Sequence, residues 1–405
     1  MPEFSDRALK LPASPIRKLA PFADGAKQRG TKVYHLNIGQ PDIPTPPVFF
    51  DAIREANLKV VAYSPSAGMM PLREQIHSYY GRLGHDLHLD DILVTTGASE
   101  ALGFVFAALM NPGEEVIVPE PFYANYLSFS LARDAVVVPV TSAIEDDFGL
   151  PPIEAIEAKI TARTKAIQIC NPGNPTGVLY PRDALLRLRE IAAKHDLFII
   201  ADEVYREFAY DGAEHSSALG LEGIEQNVVV VDSISKRFSA CGARIGCVIS
   251  RNEQLMDLVL KMAQARLSPP TLGQIGATAL YQLPVSYYQG VVAEYSARRD
   301  VLKQSLDRME GVLCPQVNGA FYSMVRLPVD SAEKFCQWIL EEFSHDGATV
   351  MMAPGAGFYA TPGLGVDEVR IAYVLNSKDL ARAMECLDAA LAVYPGRKLS
   401  EVAAR

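Results

Sequence analysis

Residues 197–236 read LFIIADEVYREFAYDGAEHSSALGLEGIEQNVVVVDSISK, and this stretch decides the fold. It holds two short, almost wholly apolar runs, Leu197–Ala201 and Val228–Asp232. Each is followed at once by a polar motif, Asp202-Glu-Val-Tyr205 after the first and Ser233-Ile-Ser-Lys236 after the second. Such runs read as strands buried on both faces, the habit of a parallel sheet covered by helices. The same unit recurs outward along the chain: Asp91–Thr95 leads into Gly97-Ala98-Ser99, and Lys165–Cys170 into Asn171-Pro-Gly-Asn-Pro-Thr-Gly177. Glu115–Val118, Ala135–Val140 and Gly246–Ser250 read as further strands. Between several of them lie amphipathic stretches such as Arg182–His195, whose Leu185, Leu188, Ile191 and Ala192 share one face. Strand and helix in alternation predict an α/β domain with a mostly parallel central sheet flanked by helices.

The pattern changes at both ends. Residues 1–45 carry Pro12, Pro15, Pro41 and Pro44 and read as an extended, irregular arm. Residues 46–285 form the large domain. Residues 286–405 read as a smaller α+β domain, entered by a long helix (Val285 to Met309), closed by a helix from Lys378 to Val393, and joined by the arm. A chain of 405 residues has room for two such lobes. No run approaches the roughly 18 apolar residues of a membrane span, and MPEFSDRALK does not resemble a secretory signal, so a cytoplasmic protein is expected. The six cysteines form no CxxC pair and read as reduced thiols, with no metal site. A formal net charge of −10 argues against a nucleic-acid partner.

In open α/β sheets ligands bind beyond the carboxyl ends of the strands, so the polar motifs are expected to meet in one crevice. Read alone, Lys236 is a lysine snorkelling from a strand end. In a sheltered site, however, desolvation or a nearby cation favours a neutral amine, which attacks aldehydes. Ser233, Ser235 and Arg244 lie close enough along the turn to hold a phosphate, with Gly242 and Gly246 allowing close backbone approach. Asp202 alone would be a helix cap, but a fixed carboxylate also stabilises a protonated pyridine nitrogen. Tyr205 follows on the same turn, and Asn174 sits between two prolines with its amide free to donate. Ala98 and Ser99, opening a helix near Glu100, offer backbone N–H groups to a phosphate. Tyr123, in Pro121-Phe122-Tyr123, offers a ring to stack on a pyridine. Lysine, acid, amide, phenol and phosphate cradle together fit pyridoxal 5′-phosphate.

SISKRFSACGARIG, NPGNPTG, DEVY, TTGASEAL and PFYANY, in this order and spacing, resemble the class I/II aminotransferases of the aspartate aminotransferase fold, from LNIGQPD at Leu36 to VRIAYV at Val369. The resemblance implies fold type I and a pyridoxal-phosphate transaminase. It implies that Lys236 is the Schiff-base lysine and proton shuttle, that Asp202 pairs with the pyridine nitrogen, and that Tyr205 and Asn174 bond its phenolate oxygen. Ala98, Ser99, Ser233 and Arg244 resemble the phosphate cup, and Tyr123 the stacking ring. Arg370 is similar to the arginine that clamps the substrate α-carboxylate, and Gly39 to the glycine where backbone meets substrate. Tyr63, in YSPSAG, is similar to the tyrosine that reaches the neighbouring subunit's phosphate, implying a homodimer.

Two positions depart from the aspartate-using pattern. Tyr123 stands where tryptophan is usual, and Ser99 where one branch has lysine. No arginine or lysine is evident for a side-chain carboxylate. The expected reaction is amino transfer between an L-amino acid and a 2-oxo acid, with aspartate and 2-oxoglutarate inherited from the family. Aromatic or aliphatic donors, or a β-lyase of the same fold, are the alternatives. Gly355–Gly363 and the arm are candidates for a segment closing over the site.

Overall fold

The computed structural model describes residues 2–398. Its strands in chain order are β1 (Lys32–His35), β2 (Ile92–Thr95), β3 (Glu115–Glu120), β4 (Val136–Thr141), β5 (Thr164–Cys170) and β6 (Phe198–Asp202). They continue with β7 (Val228–Ser233), β8 (Gly246–Ile249), β9 (Tyr322–Arg326), β10 (Ala348–Met351), β11 (Ala353–Pro354) and β12 (Glu368–Ala372). Seven of them make one sheet in the order β2-β8-β7-β6-β5-β3-β4. All its pairings are parallel except the two made by β8. The continuous apolar runs have their cause here. Val228 and Val230 of β7 pack into one core and Val229 and Val231 into another, so both sheet faces are dry. The helix Arg182–His195 forms as its periodicity predicts and buries Leu185, Leu188, Ile191 and Ala192.

A third core gathers β9, β10, β12 and the helix Ser377–Val393. The long helix Val285–Leu306 bridges two cores: Tyr288 packs on the large sheet, whereas Val291, Tyr295, Leu302 and Leu306 pack on the C-terminal lobe. The arm is more regular than its prolines suggest. It contains helices Asp6–Lys10 and Ala20–Gln28, then β1. Pro21 falls in the first turn of the second helix, where a missing N–H costs nothing, and no proline follows it before Gln28. β1 pairs in parallel with β10, and the Ala372 N–H donates to the Leu36 carbonyl at 2.7 Å. This packing supports grouping 1–45 with 286–405 around the large domain 46–285, a division we keep as a proposal.

The sheet brings its carboxyl edge to one place. β2, β3, β5, β6 and β7 all end there, and because β8 runs the other way its beginning lies there too. Arg244, which precedes its strand, therefore meets motifs that follow theirs. Beneath this edge Asp232 and Arg237 form an ion pair with both side chains fully buried. The Tyr80 hydroxyl and the Ser233 N–H donate to the same carboxylate at 2.9 and 2.7 Å. Removing one partner of such a pair strands the other charge. Asp232→Ala is expected to lower the unfolding free energy by roughly 3–5 kcal/mol, seen as a lower denaturant midpoint. Adding Arg237→Met should restore most of the loss, and an unchanged midpoint in Asp232→Ala would refute this account of the edge.

Candidate active site

A cavity of about 620 Å³ opens at the carboxyl edge, and every residue singled out from the sequence for a contact with cofactor or substrate lines it except Tyr63. One corner is built around the start of the helix Gly97–Leu109, three residues earlier than the expected start near Glu100. Ala98 and Ser99 are thus in its first turn, where N–H groups have no partner four residues back. Gly97 sits at φ +75°, and a Cβ there would lie 2.3 Å from the Arg244 guanidinium. A Cβ on Gly246 would strike the Gly97–Ala98 backbone at 2.6–2.7 Å, whereas one on Gly242 would meet open space. Only Gly246, of the two glycines expected to permit close approach, is needed for it. Arg244 donates to the Cys241 carbonyl at 3.0 Å, and the Ser233 and Ser235 hydroxyls lie 2.7 Å apart beside it. Two hydroxyls, a guanidinium and helix-start N–H groups are donors of the kind that can bind an anion.

At the centre is Asp202, the last residue of β6, which caps no helix. It is buried, and the Tyr126 hydroxyl donates to its Oδ2 at 2.8 Å. Its Oδ1 has only a 3.4 Å contact from the Val204 N–H. Burial pushes the carboxyl up to about 6. Lys236 donates to the Gly39 carbonyl at 2.9 Å, with its Nζ 5.9 Å from the centre of the Tyr205 ring. The Asn174 amide reaches the Tyr205 hydroxyl at 3.4 Å, and that hydroxyl lies 3.0 Å from Tyr322 Oη. Tyr123 accepts from Asn125 at 2.8 Å, and burial raises its phenol to about 12.

Arg370, on β12, is 1% exposed. It donates to Asn174 Oδ1 at 3.0 Å and to the Asn37 carbonyl at 2.5 Å, while its Nε is left without a partner. Its guanidinium stands 4.6 Å from the Tyr322 ring centre and 4.9 Å from that of Phe358. A buried guanidinium with a spare donor favours a carboxylate. Gly39 is glycine for a local reason: a Cβ there would fall 1.6 Å from Tyr322 Oη.

Tyr322, Tyr126 and Arg17 were not singled out from the sequence. Tyr126 closes the PFYANY segment, one helical turn after Tyr123, and that spacing is a usable signal. Tyr322 carries none, because its place depends on the pairing of β9 with β12. Tyr63 is 79% exposed and does not reach the cavity of its own chain. Of the two candidate closing segments, Gly355–Gly363 is tied down. Ala360 and Thr361 N–H groups donate to buried Glu120 at 2.8 and 3.0 Å, and Phe358 is buried with its carbonyl accepting from Phe122. The arm instead contributes Ser14, Ile16 and Arg17 to the cavity.

Compared with known proteins, the chain matches the family described as aminotransferase class I and II over residues 31–387. It belongs to that family. An aspartate aminotransferase of Thermotoga maritima is 32% identical over 387 residues, covering 95% of this chain and 98% of the relative. The structure of the Thermus thermophilus aspartate aminotransferase with maleate superposes with a TM-score of 0.87 at 28% identity, covering 96% of this chain and all of that one. An alanine aminotransferase from Pyrococcus furiosus is similar to nearly the same degree, with a TM-score of 0.86, 29% identity, and coverage of 96% of this chain and 99% of that one. The aminotransferase has fold type I and depends on pyridoxal 5′-phosphate. Among its described residues no helix is long and apolar enough to cross a membrane.

The elevated Asp202 carboxyl has a consequence for the cofactor-free protein. An unfolded aspartate titrates near 3.9, so the folded state binds the extra proton and loses stability as pH rises from about 4 to 6. Above about 6 the full cost is present. Asp202→Asn should therefore raise the melting temperature of the cofactor-free aminotransferase at pH 7, by roughly 1–3 kcal/mol of stability, with the gain fading below pH 4. Thermal unfolding across pH checks this, and a gain that persists at pH 3 would contradict it.

Proposed function

We propose that the aminotransferase moves amino groups between L-aspartate and 2-oxoglutarate by a ping-pong cycle, in a cytoplasmic homodimer. The observation that carries the reaction is the meeting of Lys236, Asp202 and Arg370 in one cavity. The residues fit the cofactor: Asp202 has an oxygen with room for a ring N–H, and the Arg244 corner suits a phosphate. Bound pyridoxal phosphate supplies an electron sink that acidifies the α-proton of an attached amino acid.

Asp202 would hold the protonated ring nitrogen, Tyr205 and Asn174 would hold the phenolate oxygen, and Tyr123 offers a ring to stack on the pyridine. Ala98, Ser99, Ser233, Ser235 and Arg244 would hold the phosphate. Arg370, with Asn174 and Gly39 beside it, clamps the substrate α-carboxylate and so presents the Cα–H bond to Lys236. Lys236 would hold the cofactor through its amine and, once free, would serve as the base that takes the substrate Cα proton. Arg370 cannot lose its charge, so the clamp holds across the working pH range.

Aspartate is supported by the names of the Thermotoga and Thermus relatives. The homodimer is supported by Tyr63, which is exposed together with Val60 and Val61 and is free to enter a neighbouring site. A reducing compartment is supported by the six free cysteines.

Lys236→Ala should lose the visible absorbance of the lysine-bound cofactor and slow turnover by roughly 10²–10⁴-fold or more. Wild-type holoenzyme given aspartate alone should pass to the pyridoxamine form, releasing one equivalent of oxaloacetate and then stopping. Given a cysteine S-conjugate instead, continuous release of pyruvate, ammonia and the thiol without an acceptor would overturn transamination in favour of elimination.

A further inference from the structure

The cavity contains one cation more than the reaction uses. Lys236, Arg244, Arg370 and Arg17 line it, against a single carboxylate, Asp202. In the proposed function Lys236 is the reacting amine, Arg244 faces the phosphate, Arg370 faces the α-carboxylate, and Asp202 faces the ring nitrogen. Arg17 is left over. Among the described residues its side chain makes no hydrogen bond and no ion pair, whereas the adjacent Lys18 is paired with Glu333.

Its position is nevertheless built. Asn37 donates to the Ile16 carbonyl at 2.7 Å, and the same residue's carbonyl accepts from Arg370. Pro15 is packed so close to Gly357 that a Cβ on the glycine would lie 2.4 Å from it. Ile16 packs against the core around Phe358, and Leu19 is buried. The backbone on either side of Arg17 is thus fixed, and through Asn37 it is fixed to the α-carboxylate clamp. The free guanidinium is close enough to Tyr123 to favour that phenol's ionised form. An unpaired cation on an anchored backbone beside a carboxylate clamp has the chemistry to take a second carboxylate.

We propose that Arg17 binds the side-chain carboxylate of a dicarboxylic substrate, within its own chain. The assignment rests on the amino-transfer reading of the site and gives it a specificity-determining residue. It also resolves the absence of a cation at Ser99: the charge enters from the arm instead. A dicarboxylate bridges Arg370 and Arg17, and a neutral side chain leaves Arg17 unmatched.

The experiment uses the holoenzyme and two substitutions, Arg17→Gln and Arg17→Lys. Maleate affinity is measured by titrating the cofactor absorbance, and kcat/KM is measured for aspartate and alanine. Arg17→Gln should weaken maleate by roughly 10- to 100-fold. It should also lower kcat/KM for aspartate at least about tenfold more than for alanine. Arg17→Lys should recover most of both. Equal losses for aspartate and alanine, or unchanged maleate affinity, would overturn the assignment. If wild-type enzyme prefers aspartate and Arg17→Gln keeps that preference, only the role of Arg17 falls. If the wild type itself shows no preference for dicarboxylates, the aspartate reading falls with it.

Discussion

Asp202 sits where β6 ends, out of water, with the Tyr126 hydroxyl as its one close donor among the described residues. A carboxyl in that setting disfavours its own charge, and burial lifts it to about 6. Such a group persists in a fold only where the surroundings hold it in place and a positive partner completes it. The ring nitrogen of the cofactor is that partner in the proposed site. The parallel sheet supplies the place: its strands are dry on both faces, so the first polar residue after each strand appears at a common edge.

The one strand that breaks the parallel rule matters as much. Because β8 is antiparallel to β2 and β7, Gly246 lies opposite both Thr95 and Ser233. Arg244 therefore arrives between the helix that starts at Gly97 and the turn that carries Lys236. The close contact of Gly246 with the Gly97–Ala98 backbone draws these three segments together. On the other side, Arg370 comes from the C-terminal lobe and is held by Asn174 and by the Asn37 carbonyl. The site is thus assembled from the large sheet, the lobe and the arm, and Asn37 touches the last two.

Much of this was legible in the sequence because the large sheet obeys local rules. The seven strands were found within a residue or two at most ends, since unbroken apolar runs admit few other readings. The motifs after them fell on one cavity, because parallel strands joined by helices bring their carboxyl ends to the same edge. What was not legible depends on contacts far apart in the chain. Tyr322 reaches Tyr205 only through the pairing of β9 with β12. Arg17 looked like part of a proline-rich arm, and only the docking of Pro15 and Ile16 brings it to the cavity. The arm itself misled, because proline density signals irregular chain yet Pro21 is harmless in a first helical turn. At Gly355 the missing side chain serves close packing, since a Cβ there would lie 2.7 Å from Glu368.

The central claim is that one lysine, Lys236, holds the cofactor at the strand edge opposite Asp202. Borohydride reduction of the holoenzyme followed by peptide mass mapping tests it directly. A stable pyridoxyl adduct on the peptide containing Lys236, and on no other lysine, is the expected result. An adduct on a different lysine, or a cofactor that cannot be fixed by reduction at all, would contradict it.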